Sequence, residues 1–206
     1  MINTAHWNKF YKKFKLLKPS NFSKFIFRKL KKSKIIFDIG CGNGRDTIFF
    51  LTKNKKCYGI DNCPQAIKSN KKKYKQAFHK FNFCSDKTLF KKIKTRPDLI
   101  YARFFIHSIN MKQENIFLKN CFKLLKKKGK VALEFRTIKD PLMKKGKKLS
   151  NNERIYSHYR RFIDTKYLKE RIINNNFKIL YFKESFNFAK FSKERPHIAR
   201  IIFQKS

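Results

Sequence analysis

Between residues 35 and 136 short apolar runs alternate with helical stretches, and this alternation constrains the fold more than any other feature of the chain. IIFDI (35–39), KCYGI (56–60), FNFCS (81–85), DLIYAR (98–103) and KVALEFR (130–136) have the length and the β-branched or aromatic content of buried strands. Helical segments at 46–52, 65–73, 88–93 and 113–125 separate them. Strands joined by such helices form parallel βαβ units, because a helical crossover returns the chain to the end of the sheet where the previous strand began, and the helices then cover both faces. The tail breaks the pattern. After a polar connection (140–161) and a helix (165–173), FKILYFKESF (177–186) and ARIIFQ (199–204) follow without room for a crossover, so these two strands should be antiparallel.

Two helical stretches precede this series. Thr4 opens one bearing Trp7, Phe10, Tyr11 and Phe14, and Pro19-Ser20 opens another with Phe22, Phe25, Ile26 and Leu30. Residues 1–33 are expected to form a lid or cap on a domain spanning 34–206.

The most informative segment is Asp38-Ile39-Gly40-Cys41-Gly42-Asn43-Gly44, placed after the first strand and before a helix. Glycines at alternate positions let the backbone turn tightly and approach a ligand, while free N–H groups at the helix start face it. A dinucleotide fingerprint would carry its third glycine at position 45, which is Arg45; here it comes one residue earlier, at Gly44. Asp61 ends the second strand, where a carboxylate can accept both hydroxyls of a ribose and exclude a 2′-phosphate.

With YGID and FCSD behind it, IIFDIGCGNGRDT resembles the class I S-adenosylmethionine-dependent methyltransferases over about residues 34 to 136. The resemblance implies an α/β, Rossmann-like, seven-stranded and mostly parallel sheet with an antiparallel last strand, and S-adenosylmethionine as cofactor. It also implies roles by position. Asp38 would meet the methionine ammonium, and Gly40, Cys41, Gly42, Asn43 and Gly44 would pass beside the methionine and ribose. Asp61, with Asn62 next to it, would hold the ribose, Ser85 and Asp86 would read the adenine amino group, and Arg103 would close the methionine end. Trp7 and Tyr11, one helical turn apart, would form a lid over the cofactor.

Charge gives a weaker signal. Lys and Arg number 53 against 13 Asp and Glu, a net charge of +40. Such a balance favours polyanions through counterion release. Yet Lys, Asn, Ile, Phe and Tyr, all read from A/T-rich codons, make up 113 of 206 residues, so codon usage supplies much of the lysine. Arginine says more. Eight of the 11 arginines lie beyond residue 100, seven of them in YARFFIHSI, LEFRT, NERIYSHYRRF and ERPHIAR. Arginine retained in a lysine-biased chain suggests planar, bidentate recognition of an oxyanion.

The proposed acceptor residues are His107 after the fourth strand, Arg136 ending the fifth, and His158, Tyr159 and Arg160 in the connection. Together they would clamp a phosphate, phosphonate or carboxylate on a small or sugar-linked metabolite for O-methylation, with His107 as general base where the acceptor is a hydroxyl. EFRT, SHYRRF and RPHIAR also resemble small bacterial methyltransferases linked to cell-surface polysaccharide or phosphonate-type metabolites. RNA methylation through the basic surface is the alternative, although YARFF lacks the prolines that base methyltransferases of this fold carry after the fourth strand. A binding protein that kept the cofactor fold is a third class. Five cysteines without a CxxC pair suggest reduced thiols and no metal site, and the absence of a long apolar run gives a cytoplasmic expectation.

Overall fold

The computed structural model describes residues 4–13, 18–72, 74–85, 93–189 and 194–206. Ten strands are present among them: β1 (Ile35–Ile39), β2 (Lys56–Asp61), β3 (Phe78–Lys80), β4 (Leu99–Arg103), β5 (Lys130–Arg136), β6 (Lys147–Lys148), β7 (Glu153–Tyr156), β8 (His158–Arg161), β9 (Phe177–Ser185) and β10 (Ile198–Lys205). Six helices accompany them: α1 (Thr4–Lys13), α2 (Asn21–Lys29), α3 (Arg45–Thr52), α4 (Pro64–Lys71), α5 (Met111–Leu124) and α6 (Thr165–Asn174).

Seven strands form one sheet in the order β3-β2-β1-β4-β5-β10-β9. Neighbours from β3 to β5 pair in parallel, while β10 runs antiparallel to both β5 and β9. Alternate residues of the central strands feed cores on opposite faces. Phe37 and Leu133 pack with Phe117 and Leu118 of α5, whereas Ile36 and Tyr101 pack with Phe22 and Ile26 of α2 and Phe50 of α3.

Local chemistry sets the helix starts. Ser20 accepts the N–H of Ser23 at 3.0 Å to cap α2, and Asn110 and Gln113 form a reciprocal capping box on α5. Asp46, in the first turn of α3, accepts from Ser20 N–H (2.7 Å), Ser20 Oγ (2.8 Å), Ser23 Oγ (2.9 Å) and Tyr101 Oη (2.8 Å). This buried carboxylate ties α2 to α3 and β4, so it is saturated by the fold.

Two expectations change. Strand three lies at Phe78–Lys80, not at 81–85, because Gly59 leaves room on β2 for the Phe78 ring: a Cβ on Gly59 would come within 2.6 Å of it. Phe81, Phe83 and Cys84 are buried from a turn, in which Asn82 Oδ1 accepts the Cys84 N–H at 3.1 Å. The expected helix at 88–93 falls outside the described residues except for Ile93. The polar connection 140–161 is also more ordered than its composition suggests. It carries a short 3₁₀ turn and the antiparallel sheet β6-β7-β8.

Candidate active site

A cavity of about 590 Å³ opens at the C-terminal ends of β1, β2 and β4, the end at which ligands of open α/β sheets bind. Its floor is the glycine turn. Gly40, Gly42 and Gly44 have φ of +72°, +52° and +76°, a left-handed conformation at alternate residues that side chains resist. The turn is held by Gly40 N–H on Ile60 O (2.8 Å), Gly44 N–H on Cys41 O (2.9 Å) and Asn70 Nδ2 on Gly42 O (2.8 Å). Gly42 also faces the Tyr11 ring from α1, whose hydroxyl would lie 2.3 Å from a Cβ at that position.

Asp38 lies fully buried beside this turn, with the Thr47 hydroxyl donating to it at 2.6 Å. Burial, and then the Asp46 carboxylate, push its pKa up to about 8. A carboxylate so poorly solvated is stabilised by an arriving cation, so the site fits an ammonium group at this point. Asp61 accepts Gly42 N–H at 2.9 Å and Cys63 N–H at 2.8 Å. Burial raises its pKa, while these N–H groups and that of Asn62 oppose the shift. Three N–H groups leave its carboxylate accepting capacity for a ribose hydroxyl, and the glycine turn offers a path that a side chain would block. The residues present therefore fit an adenosyl amino acid.

Trp7, Asp38, Gly40, Cys41, Asn43, Asp61, Asn62 and Arg103 all line the cavity. The Cys41 thiol is buried and its pKa is pushed well up by burial and by Asp61, which leaves it a poor nucleophile. Arg103 donates to Glu134 at 2.8 Å and stacks on Phe104, its guanidinium carbon 4.1 Å from the ring centroid. Phe104 has a φ of +57°, a strained value for a large residue, held by its N–H on Glu134 O at 2.8 Å. Ser85 is exposed and outside the cavity, because the chain turns at Asn82 and Phe83, which line it instead. Asp86 lies outside the described residues. The sequence reading overlooked Arg45, Asn82, Asn110 and Gln113 as wall residues. The last two form the α5 capping box, a signal that the sequence carried.

Beyond Trp7 and Phe104 lies a cationic cluster. Alternation along β8 places His158 and Arg160 on one face and the buried Tyr159 and Arg161 on the other. Arg160 donates to Tyr156 O at 2.7 Å; burial, and then Arg136, lower its pKa to about 10. His158 packs against His6 and Trp7 of α1 in tilted contacts, with ring centroids 4.4 and 4.9 Å apart. Burial, followed by Arg160, His6 and Arg136, pushes its pKa down to about 3. His107 is buried too, and burial with Arg136, Arg160, His158 and Arg103 lowers its pKa well below the usual value. Its Nδ1 accepts the Arg136 N–H at 3.2 Å, which leaves Nε2 as the protonated nitrogen of the neutral ring. In that tautomer His107 is a donor rather than a base.

Two of the expected acceptor residues have other partners. The Arg136 guanidinium donates to both oxygens of buried Asp140 (3.1 and 3.0 Å) and to Glu194 (2.9 Å). Tyr159 donates to Glu153 on the far side of β8. Arg161 likewise serves the fold, reaching Ile109 O at 3.1 Å, Ile106 O at 3.3 Å and the carboxylate of Glu114.

A glycine turn after β1, an acid ending β2 and an antiparallel strand inserted beside β5 define the class I S-adenosylmethionine-dependent methyltransferase fold. Solved structures agree. An S-adenosylmethionine-dependent methyltransferase from Clostridium acetobutylicum superposes with a TM-score of 0.70 at 12% identity, covering 90% of this chain and 91% of that one. A TehB-like methyltransferase from Corynebacterium glutamicum gives 0.70 at 15% identity, covering 98% and 99%. The 1,6-didemethyltoxoflavin-N1-methyltransferase of Burkholderia thailandensis gives 0.65 at 16% identity, covering 89% and 76%. Curated proteins include no match to the sequence. The profile of the methyltransferase domain family matches residues 11–181, and the chain belongs to that family.

Proposed function

We propose that this methyltransferase moves the methyl group of S-adenosylmethionine to an oxygen of a small anionic or sugar-linked metabolite. The observation that carries the reading is Arg160. It stands among Arg136, His158, His107 and His6 next to the Trp7 and Phe104 end of the cavity, and its hydrogen bond goes to a backbone carbonyl while Arg136 is taken by two carboxylates. A phosphate, phosphonate or carboxylate would relieve the repulsion between the two guanidinium groups.

Asp38 would hold the cofactor's ammonium, Arg103 its carboxylate, Asp61 and Asn62 its ribose, and Asn82 with Phe83 its adenine. The cofactor supplies an electrophilic methyl on a sulfonium, for in-line displacement by the acceptor. The chain's own residues align the two partners and exclude water. Trp7 and Tyr11 cover the cofactor from α1, the lid element of residues 1–33. Arg160 and the Nε2–H of His107 orient the acceptor anion. An anionic oxygen needs no base, and this suits the site: His107 presents an N–H donor, and the His158 pKa, pushed down to about 3, makes that ring a weak proton acceptor.

The RNA reading draws on charge, but the lysine-rich segments 28–34, 53–56 and 123–130 lie at the N-terminal ends of the strands, away from the cavity. Labelled cofactor incubated with a small-molecule extract and with total RNA tests the choice. Label should enter small anions and survive nuclease; label confined to nuclease-sensitive material overturns the reading.

A further inference from the structure

The register of the main sheet brings its strand ends at the pole opposite the cavity to one level. Ile35 pairs with Lys56, Ile36 with Leu99, Leu99 with Lys130, Lys130 with Gln204, and Lys205 with Phe177. Six strands therefore finish along a line about 24 Å long at the usual strand spacing. The segments that meet there are 28–34, 53–56, 94–98, 123–130 and residue 205, and they hold 16 Lys or Arg and a single acid, Asp98. They are one surface. Lys56 N–H donates to Lys34 O (2.9 Å), Lys55 Nζ to Lys31 O (2.7 Å), Lys130 N–H to Asp98 O (2.9 Å), Arg96 to Lys123 O (3.1 Å) and Lys205 N–H to Gly129 O (2.9 Å).

Part of this charge serves the fold. Helices α2, α3 and α5 end at this pole, and their last carbonyls attract cations. Arg96 and Lys205 answer that need at α5, Lys55 holds the turn after α2 through Lys31 O, and Lys126 pairs with Asp98 at 2.7 Å. Lys31, Lys32, Lys53, Lys127 and Lys128 are exposed, and none pairs with an acid among the described residues.

We propose that this pole docks the enzyme on an anionic lipid surface. The charge complements such a surface, and the level strand ends spread it along the whole end of the sheet. Fourteen of the 16 cations are Lys, which bind as point charges without the bidentate geometry favoured for individual nucleic-acid phosphates. The segments hold no aromatic residue, and the flanking Phe27 and Phe122 are both half-buried, beneath Lys55 and Lys205, so no exposed ring is offered for stacking on bases. None of the exposed large apolar side chains lies in these segments, so attachment is electrostatic, reversible and sensitive to salt. Docked in this way, the cavity faces away from the membrane, toward soluble acceptors.

Cosedimentation of the full chain with vesicles rich in phosphatidylserine, with pure phosphatidylcholine vesicles and with duplex RNA tests this. One variant replaces Lys31, Lys32, Lys127 and Lys128 with Gln. A control carries the same charge change at exposed Lys144, Lys145, Lys147 and Lys148, beside the other end of the sheet. The expected result is binding to the phosphatidylserine vesicles alone, weakened by about 100-fold or more in the first variant and by about 3-fold or less in the control. Equal losses in both variants would assign the attraction to net charge and overturn the proposal. Tighter binding to RNA than to the vesicles, or no preference between the two lipids, would overturn it as well.

Discussion

At the proposed cofactor end of the cavity the groups come from one turn of chain, Asp38 to Gly44, with Asp61 at the end of the adjacent strand. At the proposed acceptor end His6, Phe104, His107, Arg136, His158 and Arg160 come from four separate parts of the chain. The first arrangement is mainly backbone: left-handed glycines, N–H groups on a carboxylate, and space where side chains are absent. The second is made of side chains whose roles depend on neighbours. Arg136 and Arg160 illustrate this, since one guanidinium is locked between Asp140 and Glu194 while the other rests on a carbonyl. A motif is thus a good guide to the cofactor end and a poor one to the acceptor end.

The sharpest test of the contrast is Arg136→Ala. It strands the buried Asp140 carboxylate and should cost about 3–5 kcal/mol of stability, read by denaturant unfolding. A stable variant with lost turnover would return Arg136 to the acceptor. Next in size is Gly42→Val, which meets the Tyr11 hydroxyl and the unfavourable φ. We expect about 2–3 kcal/mol lost from cofactor binding, or roughly 30- to 150-fold in affinity, measured by calorimetry on a chain whose circular dichroism is unchanged. Unaltered affinity would break the assignment of the cofactor end.

Arg160→Ala should act on the other end alone. Loss of one charge-assisted contact predicts about a 10- to 30-fold fall in kcat/KM, with cofactor affinity and stability unchanged. The last test concerns pH. In the ligand-free protein Asp38 keeps its proton up to about pH 8, whereas in the unfolded chain it loses it near pH 4. The folded state binds the extra proton in that window, so the Asp38 contribution to stability falls as pH rises from about 4 to 8. Cofactor affinity should rise over the same interval, as the ionised carboxylate pairs with the ammonium, and Asp38→Asn should flatten both trends. A pH-independent affinity in the parent chain would remove Asp38 from that role.

Much of the fold was legible because its signals are local. Apolar runs with turn residues between them marked β1, β2, β4 and β5, and the missing helix between 186 and 199 gave the antiparallel β10. FNFCS misled because an apolar alternation reports burial, and a turn anchored by Asn82 buries Phe81 and Phe83 as well as a strand does. The sheet β6-β7-β8 escaped notice because its strands are short and rich in Lys, Asn and Arg, and residues such as Arg161 and Glu114 meet only in three dimensions.

The sequence by itself determined the βαβ order, the glycine turn with its two flanking acids, and the surplus of positive charge. These depend on residue spacing, backbone freedom and composition, which need no distant partner. Tertiary structure alone decided which arginine is committed to a carboxylate, which nitrogen of His107 carries the proton, and that a share of the lysines gathers on one level pole. Each of those depends on distances between segments far apart in the chain, and electrostatic energy follows distance and burial rather than sequence order.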